Sequence, residues 1–121
     1  MSNTVFIKSG EQPRYFAFSG VNSTTTVAAS SPIYKESPYG AFQAIVTGTG
    51  AVTATIEIQV SNQFDTFNAV KANWIVMGTI TLSGTTTATD GFTTVCPWKY
   101  VRANVSVITG TGATVEIIMG V

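Results

Sequence analysis

The stretch that decides the fold is Val52-Thr-Ala-Thr-Ile-Glu-Ile-Gln-Val60. Apolar side chains occupy every second position, and threonine, glutamate or glutamine occupies the positions between them. Successive side chains of a β-strand point to opposite faces of the sheet. The alternation therefore predicts a strand with one face in the core and one face in water.

Three other stretches alternate in the same way, at Trp74–Leu82, Tyr100–Val107 and Thr114–Met119. The second face of the first stretch is less polar, because Ile75 and Met77 stand among its threonines, so we expect that strand to be covered on both sides. The residues that the alternation assigns to the core are Trp74, Val76, Ile80, Leu82, Val101, Ala103, Val105, Val107, Val115, Ile117 and Met119.

Shorter strand-like stretches fill most of the remaining chain, and turn signals such as Ser83-Gly84 and Asp90-Gly91 separate them. No window carries apolar residues at helical spacing, and one helical turn at Ala69–Asn73 is the most helix that the pattern allows. The spacing of the turns predicts an all-β fold of about eight antiparallel strands, a sandwich or a barrel. The shorter predicted strands are Thr4–Lys8, Arg14–Ser19, Thr24–Ala29, Ala41–Thr47 and part of Thr86–Val95.

The sequence contains one short internal repeat. Ile45-Val-Thr-Gly-Thr-Gly-Ala51 matches Val107-Ile-Thr-Gly-Thr-Gly-Ala113, and a strand pattern follows each copy. Glycine adopts positive φ at little cost, so both copies are predicted to be hairpins of the type strand, tight turn, strand. The repeat indicates that the two sheets of a sandwich are built alike.

Residues 1–40 differ in character from the rest, because they hold three of the four prolines and three of the four tyrosines. Within them, Ser30–Gly40 is predicted to be an extended loop. Two interpretations of this region remain open. It forms an arm that lies over the domain or on a neighbour, or it contributes edge strands and a long loop to the domain. We therefore expect one domain, with residues 1–40 as N-terminal arm and edge strands and residues 41–121 as the sandwich core.

The charge balance restricts the partners. Six basic and six acidic residues give a formal net charge of zero, and charged residues make up only 10% of the chain. Nucleic acids and anionic membranes both require an excess of lysine and arginine, so we expect neither as a partner. A weakly charged, threonine-rich surface favours packing against other proteins. The N-terminus does not resemble a signal peptide and no apolar run is long enough to span a membrane, so we expect a soluble protein made in the cytoplasm.

The sequence lacks the usual catalytic groups. It contains no histidine, and its single cysteine, Cys96, stands beside Pro97 and Trp98 and is predicted to be a buried, inert thiol. The carboxylates are scattered: Glu57 and Glu116 are predicted to lie on outward strand faces, and Asp90 in a turn. We therefore predict a protein that is not an enzyme and has no catalytic residues, no metal site and no cofactor.

Exposed aromatic residues are the best candidates for contacts with a partner. Phe64 and Phe67 flank Asp65 in a predicted loop, where they either tuck into the end of the core or form a contact patch. Trp98 is predicted at the rim of a sheet. An exposed aromatic platform would also suit a sugar. The candidate contact residues are Arg14, Tyr15, Tyr34, Tyr39, Phe64, Phe67 and Trp98.

Two groups of motifs resemble a known family. The first comprises Gln59-Val-Ser-Asn62, Asn73-Trp74 and Gly78-Thr-Ile-Thr-Leu-Ser-Gly84. The second comprises Pro97-Trp-Lys-Tyr-Val-Arg-Ala-Asn-Val105 and Thr109-Gly-Thr-Gly-Ala-Thr-Val115. Together they resemble small β-sandwich virion proteins of tailed bacteriophages, in particular head decoration (cement) proteins.

The resemblance covers residues 41–121 and implies a jelly-roll-like antiparallel β-sandwich. It further implies a structural protein on the capsid exterior that binds the major capsid protein and copies of itself, commonly as a homotrimer. A tail or baseplate module of the same class of virion is the first alternative. A carbohydrate-binding or receptor-binding β-sandwich is the second.

Overall fold

The computed structural model describes residues 15–21, 25–63 and 73–121. These residues form strands joined by turns and loops, with no helix among them. The strands are β1 (Tyr15–Ala17), β2 (Ala28–Ala29), β3 (Ile33–Tyr34), β4 (Tyr39–Thr47), β5 (Val52–Ser61), β6 (Ile75–Gly84), β7 (Thr87–Val95), β8 (Tyr100–Thr109) and β9 (Thr114–Gly120).

The strands form two antiparallel sheets that pack against each other. The front sheet has the order β1-β9-β4-β7, and the back sheet has the order β2-β8-β5-β6, with β3 also paired to β8. Along the chain, the connections from β2 to β3 and from β5 to β6 stay within the back sheet, and every other connection between successive strands crosses from one sheet to the other. This interleaving is the jelly-roll form of the β-sandwich. The predicted fold class is thus confirmed, and the ninth strand arises because β2 and β3 lie one after the other along β8.

The core lies between the two sheets, and its residues in β5 are the alternate apolar residues of Val52–Val60. In β5 the five residues Val52, Ala54, Ile56, Ile58 and Val60 are buried, while the residues between them are partly exposed. β4 alternates in the same way. Phe18 and Val21, from the described part of the first 40 residues, are also fully buried in this core.

Two β-bulges invert the alternation in the neighbours of β5. In β6 the register shifts so that Gln59 pairs with Val76, and in β8 it shifts so that Thr55 pairs with Val107. An extra residue in one strand moves all later side chains to the other face. Val76 and Val107 are consequently exposed, and Trp74 is only half-buried. The prediction that these three side chains lie in the core is wrong for this reason.

The two Thr-Gly-Thr-Gly segments are not hairpins, contrary to the prediction. The first joins β4 of the front sheet to β5 of the back sheet, and the second joins β8 to β9 in the opposite direction. The two turns lie side by side, and the backbone N–H of Thr49 donates to the carbonyl of Thr111 at 3.1 Å. Only the second turn uses positive φ, at Gly110 and Gly112.

Two smaller predictions also need correction. Ser30–Gly40 is not one extended loop, because it contains β3 and the first residues of β4. Asp90-Gly91 is not a turn but lies within β7, where Asp90 pairs with Ala44 and Gly91 with Gln43. A glycine is needed there because a Cβ on Gly91 would overlap the backbone oxygen of Phe42. The predicted strand Thr4–Lys8 lies outside the described residues, as does most of the predicted helical turn Ala69–Asn73.

Candidate functional site

The outer surface of the front sheet, here named the front face, is built from alternate residues of four strands. The inward residues Phe42, Ala44 and Val46 of β4 are buried, so the residues between them point outward. The strand register then places their neighbours. The front-face residues are Tyr15, Ala17, Tyr39, Ala41, Gln43, Ile45, Thr47, Thr87, Thr89, Gly91, Thr93, Val95, Thr114, Glu116, Ile118 and Gly120.

Among the described residues, the front face is almost free of charge. Glu116 is the single charged residue in the set just named. Large apolar and aromatic side chains are exposed on it: Tyr15 is 71% exposed, Tyr39 is 62% exposed and Val95 is 66% exposed. Depletion of charge together with exposed tyrosine is the composition found at the core of protein–protein interfaces.

Many polar groups of the front face are already paired within it. The Gln43 side-chain amide donates to the Thr89 hydroxyl at 3.3 Å, and that hydroxyl donates to the Ala44 carbonyl at 3.1 Å. The hydroxyls of Thr47 and Thr114 lie 3.2 Å apart. Polar groups that already have hydrogen-bond partners keep those bonds when a partner protein excludes water. The desolvation free energy of covering these groups is therefore small.

A small depression lies on the front face. Its volume is about 120 Å³, and it is lined by Tyr15, Ala41, Phe42, Gln43, Ile118 and Gly120. The Tyr15 ring lies close against Gly120, where an added Cβ would stand 3.2 Å from the ring carbon Cε1. The absence of a side chain at Gly120 thus lets the tyrosine form one wall. The depression has room for a single apolar side chain of a partner.

The outer surface of the back sheet, here named the back face, has a different composition. It is polar and carries both an acid and a base, arranged on β5 and β8 with aromatic residues around them. The back-face residues are Ala29, Tyr34, Thr53, Thr55, Glu57, Gln59, Val76, Thr79, Thr81, Ser83, Tyr100, Arg102, Asn104, Val107 and Thr109, with Trp74 directly before β6.

Side-chain hydrogen bonds link the middle of the back face into a network. Arg102 Nε donates to Gln59 Oε1 at 2.7 Å, and Gln59 Nε2 donates to Glu57 Oε1 at 3.4 Å. Asn104 Nδ2 donates to the same carboxylate oxygen at 2.9 Å. The Arg102 guanidinium stands over the Trp74 ring, 4.5 Å from its centroid, and partial burial lowers the pKa of Arg102. These contacts hold four polar side chains in one arrangement.

The connections at one end of the sandwich meet around a buried lysine. Lys35 follows β3, and its ammonium group donates to the backbone carbonyls of Ser37 and Cys96. Cys96 is fully buried, as its apolar neighbours predicted, and burial raises the pKa of its thiol, while the charge of Lys35 lowers it in part. This cluster joins the segment before β4 to the segment after β7.

The predicted contact residues do not form one patch. Tyr15 and Tyr39 lie on the front face, whereas Tyr34 is 57% exposed on the back face, with its ring centroid 5.6 Å from that of Tyr100. Trp98 lies in the loop between β7 and β8 and packs against the core. Arg14, Phe64 and Phe67 lie outside the described residues.

The acidic residues are dispersed. Glu57 and Glu116 point outward, as predicted, and they lie on opposite faces of the sandwich. Within residues 15–21, 25–63 and 73–121, no three histidine, cysteine or acidic side chains come together in a way that would hold a metal ion. Over the same ranges, no helix is long and apolar enough to cross a membrane.

Sequence reasoning missed the back-face network. Gln59 and Glu57 were visible as the polar residues of an alternating strand, and Arg102 and Asn104 as those of another. Their meeting depends on the register of β5 against β8, where Gln59 pairs with Arg102 and Glu57 with Asn104. The period-two spacing of polar residues on both strands was the available signal, but it does not say which strands are neighbours.

Comparisons of the chain with protein families, with curated proteins and with solved structures give no match.

Proposed function

We propose that this chain is a structural protein of a tailed-phage virion, a decoration protein that binds the outer surface of the capsid through its front face. The single observation that carries the proposal is the nearly uncharged front face, with its exposed tyrosines and its small depression. The resemblance of residues 41–121 to head decoration proteins supplies the type of partner, the major capsid protein.

The front face suits a broad, flat partner. It spans four strands, exposes Tyr15 and Tyr39, and has room for one partner side chain beside Gly120. The side-chain groups of Gln43 and Thr89, and of Thr47 and Thr114, are paired internally, so a partner can cover them without leaving them unsatisfied. An interface of this kind gains affinity from apolar area and a few anchoring contacts.

The sheet edges favour assembly with further copies. The edge strands β1, β2 and β3 contain three, two and two residues, against ten in β8 and seven in β9. Within the described part of the chain, much of the outer edge of β8 and β9 therefore has no strand beside it. A neighbouring copy that packs along these edges would cover them, and a ring of three copies closes such contacts.

A tail or baseplate module is the second candidate within the same class of virion. The same front face would serve it, because nothing in the face specifies which virion protein lies opposite. The two candidates differ in location and in copy number.

The test is the fate of the chain in cells that produce the phage. Particles are separated by density gradient, the chain is followed with an antibody, and its copy number per particle is measured by mass spectrometry. We expect it to sediment with filled heads at a copy number comparable with that of the major capsid protein. A few copies per particle would instead support the tail candidate, and a chain that stays entirely in the soluble fraction would contradict both.

A further inference from the structure

We propose that the back face contains a binding site for a neutral saccharide, formed by Glu57, Gln59, Arg102 and Asn104 with the flanking aromatic residues. This inference goes beyond a structural role, because the site lies on the sheet opposite the proposed docking face. It would give the assembled protein a second, outward contact.

The polar groups of the site are held in place before any ligand arrives. Glu57 and Gln59 project from β5, and their register partners Asn104 and Arg102 project from β8. Adjacent strands lie about 4.8 Å apart and residues two apart on one strand about 6.8 Å apart, so the four side chains form a compact block. All four are half-buried and joined by the hydrogen bonds described above.

The chemistry of the block matches a ligand rich in hydroxyl groups. A hydroxyl both donates and accepts hydrogen bonds, so a polyol needs donors and acceptors side by side. The carboxylate of Glu57 accepts, the guanidinium of Arg102 donates, and the amide groups of Gln59 and Asn104 do both. Each of these groups is planar, which fixes the direction of its bonds.

Aromatic rings stand on two sides of this block. Trp74 lies against Arg102, and the exposed Tyr34 ring lies beside Tyr100, two residues before Arg102 on the same strand face. Aromatic side chains combine a large apolar surface with a polar edge. The exposed Tyr34 ring offers such a surface to the C–H face of a sugar ring, whose hydroxyls would reach the polar block, while Trp74 is packed against Arg102.

Other ligands fit the site less well. Within residues 15–21, 25–63 and 73–121, Arg102 is the only cation on the back face, and the network connects it to Glu57, so these residues offer no net positive charge to a phosphate. Glu57 is likewise the only carboxylate among the described residues of the back face, and one carboxylate is too few for a divalent cation. The balanced charge of Glu57 and Arg102 favours a neutral oligosaccharide.

The test is a titration of the ¹⁵N-labelled full chain with maltohexaose, cellohexaose, chitohexaose and mannohexaose, followed by NMR. We expect at least one of them to shift the Trp74 indole N–H and the backbone amides of residues 102 and 104, with a Kd of about 1 mM or tighter. The chain contains two tryptophans, and the Trp98→Phe variant identifies which indole signal belongs to Trp74.

Substitutions then locate the binding. Glu57→Gln and Arg102→Met should each weaken it at least about tenfold, or 1.4 kcal/mol. Glu116→Gln makes the same chemical change on the front face and should leave it unchanged. Tyr34→Ala removes an exposed ring outside the hydrogen-bonded network, so it should lower the affinity in a fully folded protein.

Three results would overturn the proposal. The first is that none of the four oligosaccharides shifts any back-face signal. The second is that binding is seen but survives both Glu57→Gln and Arg102→Met with unchanged affinity. The third is that the shifts map to the front face.

Discussion

The front and back faces of this sandwich have the same architecture but opposite surface chemistry. Both are outer surfaces of antiparallel sheets, and both contain many threonines. Both faces expose apolar side chains, but the described front face has one charged residue, Glu116, whereas the back face gathers Glu57, Gln59, Arg102 and Asn104 into one network. A sheet needs only its inner face to fold, so the outer faces are free to differ.

The difference indicates how each face meets a partner. A surface that has a single charged residue among its described residues and exposes tyrosines is suited to being covered by another protein. A surface that presents ordered donors and acceptors is suited to a polar ligand. On this ground we propose assembly for the front face and ligand recognition for the back face.

The largest expected effect comes from adding a methyl group to the front sheet at Gly91. Gly91→Ala places a Cβ against the backbone oxygen of Phe42 on the neighbouring strand, and a backbone atom within a paired strand cannot easily move. We expect a loss of about 2–3 kcal/mol in the free energy of unfolding, measured by denaturant titration. Gly50→Ala is the control, because no heavy atom lies within 4 Å of its added Cβ. Equal stability of the two variants would show that β7 is not held as closely as described.

The next effect concerns the cluster that joins the ends of the two sheets. Lys35→Met removes the bonds to the carbonyls of Ser37 and Cys96 and leaves those oxygens without this donor. We expect a loss of about 2 kcal/mol in the free energy of unfolding, because Lys35 is buried. Lys99→Met changes an exposed lysine nearby and should be nearly neutral. A similar loss in both variants would argue against a special role for Lys35.

A matched pair of substitutions compares the two carboxylates. Glu57→Gln weakens the bonds from Asn104 and Gln59 and should cost about 1 kcal/mol of stability in thermal or chemical unfolding. Glu116→Gln alters an exposed side chain and should stay within about 0.5 kcal/mol of the parent protein. If Glu116→Gln costs more stability than Glu57→Gln, the back-face network does not exist in solution.

The smallest effect is a pH dependence at the junction of the sheets. Burial raises the pKa of the Cys96 thiol above its ordinary value of 9.0, so above that pH the folded chain retains a proton that the unfolded chain has lost. The contribution of this group to the free energy of unfolding is therefore constant below about pH 9 and decreases as the pH rises further. Denaturant titrations between pH 8 and 10.5 should therefore show a shallower decline in Cys96→Ala than in the parent chain. Identical slopes would contradict a buried thiol.

Much of the fold was predictable because alternation reports burial directly. Val52–Val60 predicted β5, and every apolar residue of that stretch lies in the core. Low charge and absent histidine led to the prediction of a binding surface, and that part of the account stays a prediction. The prediction that Glu57 and Glu116 point outward followed from the same alternation and is confirmed.

The rest depended on contacts that a local pattern does not contain. The bulges that expose Val76 and Val107 arise where β6 and β8 pair with β5. A prediction from strict alternation ignores these bulges and therefore places the side chains beyond them on the wrong face of the sheet. The Thr-Gly-Thr-Gly turns allow both a hairpin and a crossing between sheets, and only the strand order distinguishes the two. For the same reason, the division of Tyr15 and Tyr34 between two faces was not visible.

The central claim, that the front face docks on a protein surface, is tested by one pair of charge substitutions. Thr93→Glu and Thr81→Glu make the same change at exposed residues of edge strands, one on the front face and one on the back face. The measurement is co-sedimentation of each purified variant with capsids that lack the chain. We expect Thr93→Glu to bind at least about tenfold more weakly, because its charge must be buried against an apolar partner, and Thr81→Glu to bind like the parent chain. Equal binding of the two variants, or a loss confined to Thr81→Glu, would contradict the claim.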